Sequence, residues 1–150
     1  MQILESEIPL GEVVPNIATL LRQNRERFAS RMVYKERRGD TYEGLTWAEL
    51  YDHVCRIAAN LRRYGFQEGD KAVIFSRNRQ EMLEFELAVM ASGGVAVPIF
   101  ANFNQETAGQ LIRHSDARFL AASGKQQLDN LSPALPLQNI FVFDEVQEDR

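Results

Sequence analysis

Between Val14 and Phe28, apolar Val14, Ile17, Leu21 and Phe28 recur at roughly helical spacing with Pro15 tolerated in a first turn, and they predict a short amphipathic helix. Two strand-like runs, Met32 to Glu36 and Tyr42 to Thr46, flank the polar turn Arg37, Arg38, Gly39, Asp40 and predict a hairpin. Helical periodicity then returns, with Trp47, Leu50, Val54, Ile57 and Leu61 recurring every three or four residues. Thr46 stands where its hydroxyl can cap that helix, and Glu49, three residues on, completes a capping box. Arg62 and Arg63 suit the dipole at its other end, and Gly65 offers a left-handed cap.

Lys71 to Phe75 is a short apolar run that predicts a strand, and Asn78 followed by Glu81 repeats the capping spacing for a helix over Arg79 to Ser92. Apolar residues cover most of that helix, so it should be buried on more than one side until Gly93 and Gly94 stop it. Val95 to Ile99 predicts a strand with Pro98 near its end, where a missing N–H is tolerated at an edge. A loop from Phe100 to Phe103 leads to Asn104, a cap for a helix running to about His114 with Leu111 and Ile112 inward. Phe119 to Ala122 returns as a strand, Lys125 to Leu131 supplies one or two helical turns, and Ile140 to Phe143 is a last strand. Strands alternating with helices imply βαβ crossovers, so the fold class is α/β with a mostly parallel sheet and helices on its faces.

Composition narrows this picture without adding chemistry. At 150 residues, 45% hydrophobic and 25% charged, the chain can bury a core, and no linker or repeat divides it. A net charge of -4 and a pI near 5.3 give no footprint for nucleic acid. The longest apolar stretch, Leu87 to Phe100, is broken by Ser92, Gly93, Gly94 and Pro98 and is too short to cross a bilayer. Glu5 and Glu7 stand where a secretory signal would carry positive charge, so the expected location is cytoplasmic. The single cysteine, Cys55, has no disulfide or metal partner and fits a small apolar helix position.

Nucleotide-binding and catalytic signatures fail one by one. Ser123, Gly124 and Lys125 resemble the end of a phosphate loop, but Gln126 and Phe119 stand where the pattern needs a hydroxyl residue and a glycine. Gly93 and Gly94 follow a helix, whereas a dinucleotide fingerprint opens one. His53 and His114 lie on separate predicted helices without ligand spacing. Ser76 and Ser123 follow strands outside any nucleophile elbow, and turn chemistry explains both. Glu81, Glu84 and Glu86 read as dipole partners and a solvated face. No catalytic or metal-binding residue is therefore assigned.

A family resemblance takes the reading further, and it spans nearly the whole chain, most clearly from Leu45 to Ala122. Leu45, Thr46, Trp47, Ala48, Glu49 and Leu50 resemble the "LTW-x-EL" helix start of adenylate-forming ligases. Tyr64 to Lys71 resembles their Gly-Asp turn into a strand, and Ser76 to Glu81 their strand-to-helix turn around Asn78. Ala88 to Ile99 resembles the Gly-Gly entry to a Val-x-Val-Pro strand, and His114 to Phe119 the "x-S-x-A-[K/R]" step before the next. The order of these stretches is similar to that of AMP-forming acyl-CoA synthetases, and the sequence looks most like the long-chain fatty acid-CoA ligase branch.

That resemblance implies a parent in which a fatty acid carboxylate attacks ATP, with Mg, to give acyl-AMP, after which CoA displaces AMP. Residues 1–150 would be an incomplete N-terminal portion of the large AMP-binding domain, carrying an N-terminal helix and hairpin and no internal boundary. The family's phosphate loop, adenine segment, hinge and catalytic Lys have no counterparts here, so the piece itself is expected to be inactive and to bind no cofactor. One site is implied: in acetyl-CoA synthetase relatives the loop after the Pro-bearing strand touches the nucleotide end of CoA, which points to Phe100. Ala101 and Asn102 replace glycines there, and a loop aromatic covering the core is the plainer alternative. Truncation would bare a sheet edge and lead to self-association. In the parent, peripheral membrane contact stays open. The alternative from another class is a free-standing α/β module that binds a ligand or partner. A phosphoacceptor receiver would need clustered Asp at the first strand, and the chain opens with a helix and hairpin instead.

Overall fold

In a computed structural model, which describes residues 8, 11 and 13–145, β-strands and helices alternate after an N-terminal helix and hairpin. The order is α1 (Ile17–Phe28), β1 (Met32–Arg38), β2 (Thr41–Thr46), α2 (Trp47–Arg63), β3 (Lys71–Ser76) and α3 (Gln80–Ala91). There follow β4 (Val95–Phe100), α4 (Gln105–Ser115), β5 (Phe119–Ala122), α5 (Lys125–Asp129) and β6 (Asn139–Val142). Strands β3 to β6 form a four-stranded sheet in the order β4-β3-β5-β6, with every pairing parallel. The antiparallel pair β1-β2 stands apart as its own sheet. The α/β class and the parallel sheet are as expected.

Two cores lie on opposite sides of the sheet because successive strand residues point to opposite faces. Ala72 and Ile74 join Phe119, Ala121 and residues of α1, α2 and α3 in one cluster. Val73 and Phe75 join Leu120, Ala122 and residues of α4 in the other. Ala72, Val73, Ile74 and Phe75 are all fully buried, as a strand covered by helices on both faces must be.

Local signals set most boundaries, and the departures have physical causes. The capping box at Thr46 and Glu49 forms in full, and Asn104 accepts from the Thr107 amide at 2.9 Å. Helix α1 begins later than predicted: Asn16 takes the cap by accepting from Thr19 N–H, which leaves Val14 and Pro15 outside. The hairpin strands run on to Arg38 and Thr41, so the turn shrinks to Gly39 and Asp40, with Gly39 at φ 62°. Asn78 does not cap α3. Arg79 occupies that position without a side-chain cap bond, because a guanidinium only donates and cannot accept from the exposed helix amides. Among the described residues no helix is long and apolar enough to cross a membrane.

The Gly-Asp turn before β3 and the Gly-Gly turn before β4 are one packed unit. Gly69 N–H donates to Gly93 C=O at 2.9 Å and Val95 N–H to Asp70 C=O at 2.9 Å, which starts the β3-β4 ladder. Asp70 also accepts from the Gln67 amide at 2.8 Å and from the Arg118 guanidinium. Burial pushes its carboxyl up, but those two donors outweigh burial and hold it below the ordinary carboxylate value. A methyl group on Gly94 would meet the Phe66 ring at 2.3 Å and Asp70 C=O at 2.8 Å. Gly94→Ala is therefore expected to destabilise the protein by about 1–3 kcal/mol in urea unfolding, through overpacking. Phe66→Leu in the same background should recover part of that loss, and simple additivity of the two substitutions would contradict this origin.

Candidate functional site

In an open parallel sheet a ligand crevice is expected beyond the carboxyl ends of the strands, where neighbouring connections depart in opposite directions. Here β3 leads through α3 to β4 on one side, and β5 leads through α5 to β6 on the other. The switch point thus falls between β3 and β5, at Ser76 and Ser123. The two serines close it: Ser123 Oγ donates to Ser76 Oγ at 2.8 Å, Ser76 Oγ to Arg77 C=O at 2.8 Å, and Arg77 N–H to Ser123 Oγ at 3.1 Å. Both are 4% exposed, so each hydroxyl is buried and satisfied rather than aimed at a substrate.

A second layer fills the space above them. Arg79 donates through Nε to Glu81 at 2.7 Å and through Nη1 to Asp144 at 2.6 Å, and its guanidinium lies 5.8 Å from the Phe143 ring centre. Donation from Arg79 holds the Glu81 carboxyl below its usual range, against the opposing effect of burial. Asp144 N–H donates to Ser123 C=O at 3.0 Å, and the Asp144 carboxylate sits where a Cβ on Gly124 would be, 2.7 Å away. Arg38, Arg77 and Arg79 border a polar hollow of about 390 Å³ beside Glu36 and Glu81, and the ion pair of Arg79 with Glu81 offsets part of its positive charge.

The larger cavity, about 720 Å³, runs along the free edge of β4. Val95 N–H bonds toward β3, so alternation turns Ala96, Pro98 and Phe100 outward. Pro98 therefore faces the open edge, the one place in a sheet where its missing N–H costs no ladder bond. Val97, Ile99, Met82, Phe103 and Leu111 give the cleft an apolar lining, with Ser76 and Asn78 on its wall along with Lys71 and His114. Lys71 Nζ is 3.4 Å from Asp116 Oδ2. Such a cleft suits a flat or apolar group. It offers no nucleophile–base pair, and among the described residues no group of three or more His, Cys, Asp or Glu can hold a metal ion.

Phe100 is the last residue of β4 rather than a loop residue, is 77% exposed, and packs edge-on against Phe103 with ring centres 5.4 Å apart. It does not cover the core. His114 is exposed and lines the same cleft as Ser76. Glu84 corrects its expected solvated place: it is 6% exposed, with His53 Nδ1 at 2.7 Å and Gln80 Nε2 donating at 2.9 Å to the same oxygen. That contact ties α2 to α3. Cys55 stands on α2, as expected, and is exposed. The serine pair and the Arg79–Asp144 pair escaped the sequence, which shows two strand-end serines but not that their strands are neighbours.

Residues 21–149 match the family of AMP-binding enzymes. The chain is 40% identical over 75 residues to 4-hydroxybutyrate–CoA ligase 2 of Metallosphaera sedula, covering 50% of this chain and 14% of that protein. It is 28% identical over 107 residues to long-chain-fatty-acid–CoA ligase FadD15 of Mycobacterium bovis, covering 71% of this chain and 18% of the relative. The chain thus spans less than a fifth of the length of either. In structure it is similar to the N-terminal domain of FACL13 from Mycobacterium tuberculosis, with a TM-score of 0.77, 20% identity, and coverage of 87% of this chain and 34% of that one. At that identity the likeness is one of fold. Motif order, sheet topology and the match along 21–149 together place this chain in the AMP-binding enzyme family.

Proposed function

We propose that residues 1–150 are the N-terminal portion, without an internal boundary, of the AMP-binding domain of a cytoplasmic, AMP-forming fatty acid-CoA ligase of the long-chain branch. The parent would join ATP, with Mg, and a fatty acid into acyl-AMP and pass the acyl group to CoA. The observation that carries this reading is the near-continuous family match over 21–149, together with the alignment to FadD15 over 71% of the chain. The 150 residues are inactive alone on this reading, since their own side chains fill the crevice between β3 and β5 and the groups that handle pyrophosphate come from additional sequence. ATP–pyrophosphate exchange with palmitate should be absent for this chain and present for the full-length protein; exchange by the chain alone would overturn the proposal.

Within the parent we assign Phe100 to the nucleotide end of CoA. Its exposed ring beside Phe103 is a flat apolar surface of the kind an adenine stacks on. Phe100→Ala in the full-length protein should raise the KM for CoA by about fivefold to tenfold, the worth of one stacking contact of ~1 kcal/mol. An unchanged KM removes the assignment.

We further propose that self-association of the 150-residue chain runs through the same edge. Pro98 blocks strand addition at the centre of β4, so we place contact between copies on the apolar side chains of the cleft. Light scattering of the 150-residue chain at high concentration should show dimers or larger species that Val95→Glu reduces, Val95 being 50% exposed. A monodisperse monomer would count against it.

A further inference from the structure

Helices α1 and α2 do not close against one another along their whole length. Between them lies a groove of about 240 Å³, lined by the buried Leu21 and Val54 and by Ala18, Ala58 and Ala91, and bordered also by Tyr51, Cys55 and Arg62. Small side chains on three helices leave the floor low and apolar. On the α1 side, Arg25 lies 5.3 Å from the Tyr51 ring centre, and Arg22 also acts electrostatically on Tyr51. Arg22 and Arg62 make no ion pair among the described residues, and Arg25 has one at 3.9 Å with exposed Asp52.

Charge in this layer runs against the rest of the molecule. Helices α1 and α2 carry six arginines, Arg22, Arg25, Arg27, Arg56, Arg62 and Arg63, against the three acids Glu26, Glu49 and Asp52, although the whole chain carries -4. Cations without internal partners beside an apolar floor call for a ligand that is apolar along one stripe and anionic on both sides of it. A helix with apolar side chains one turn apart and Glu or Asp flanking them has that pattern, and the groove has room for about two such side chains. A bilayer meets a protein across a convex or flat surface, so a concave floor below its arginine rim does not suit a lipid surface. Nucleic acid would find no apolar complement in its phosphates.

We propose that the α1–α2 groove is a docking site for an acidic amphipathic helix of a partner protein. The apolar stripe rests on Ala18, Ala58 and Ala91, and the flanking carboxylates pair with Arg22, Arg25 and Arg62. This surface shares no lining residue with the cleft along the β4 edge and does not depend on the ligase assignment.

The test uses the purified chain and two synthetic helical peptides with the same leucine stripe, one flanked by Glu and the other by Lys. Fluorescence anisotropy should show saturable binding of the Glu peptide only, weakening as salt rises. Arg22→Glu with Arg62→Glu, both exposed and expected to fold normally, should lower the affinity by about tenfold or more. Cys55, the chain's single cysteine, should react several-fold more slowly with iodoacetamide when the Glu peptide is bound. Ala58→Trp, checked for folding by circular dichroism, fills the floor and should abolish binding with every arginine in place. Equal binding of the Lys peptide, indifference to the double charge reversal, or no protection of Cys55 would overturn the proposal. So would phosphatidylserine vesicles that shield Cys55 while the Glu peptide does not.

Discussion

Strand β3 is the element on which the rest of the molecule depends. It pairs with β4 on one side and β5 on the other, and Ala72 to Phe75 are fully buried between helices on both faces. A backbone in that position has no access to water, so each of its polar groups must be satisfied by parallel neighbours. The two turns before β3 and β4 enforce this from one end. Gly69 bonds to Gly93 and Val95 to Asp70, so the strands enter the sheet in register. Arg118, gripping Asp70 from just before β5, brings the third strand to the same line.

With the strands so fixed, what happens at their carboxyl ends follows. Two serines on neighbouring strands satisfy one another across the switch point, and Arg79 brings Asp144 down over them from the far side of β6. Polar groups that face a ligand must remain partly unpaired, whereas these are paired internally. Stability and ligand binding compete for the same crevice, and in these 150 residues stability has it. Open space also lies along the β4 edge, where Pro98 discourages strand addition, and in the groove between α1 and α2, where small residues meet the exposed Arg62.

The helical layer carries its own polar tie. His53 and Glu84 join α2 to α3 across 31 residues, with Gln80 donating to the same carboxylate oxygen. The buried stripe of α3, Glu84, Phe85, Ala88 and Val89, thus carries one directional polar contact among its apolar ones. Spacing along α3 gives no sign of this, because Glu81, Glu84 and Glu86 are chemically alike and only their neighbours distinguish them.

Local patterns in the sequence were enough for element type, the capping box at Thr46, the cap at Asn104, the stop at Gly93 and the alternation that means a parallel sheet. Each depends on residues within about four positions of one another, where geometry is set by chain connectivity. Motif order likewise carried the family. Strand order, the Ser76–Ser123 pair, the Arg79–Asp144 bridge, the burial of Glu84, the exposure of Phe100 and the α1–α2 groove were decided by tertiary structure alone. They join residues 31 to 65 positions apart or depend on which face a neighbour covers. No local periodicity encodes contacts between elements that meet only once the sheet has closed.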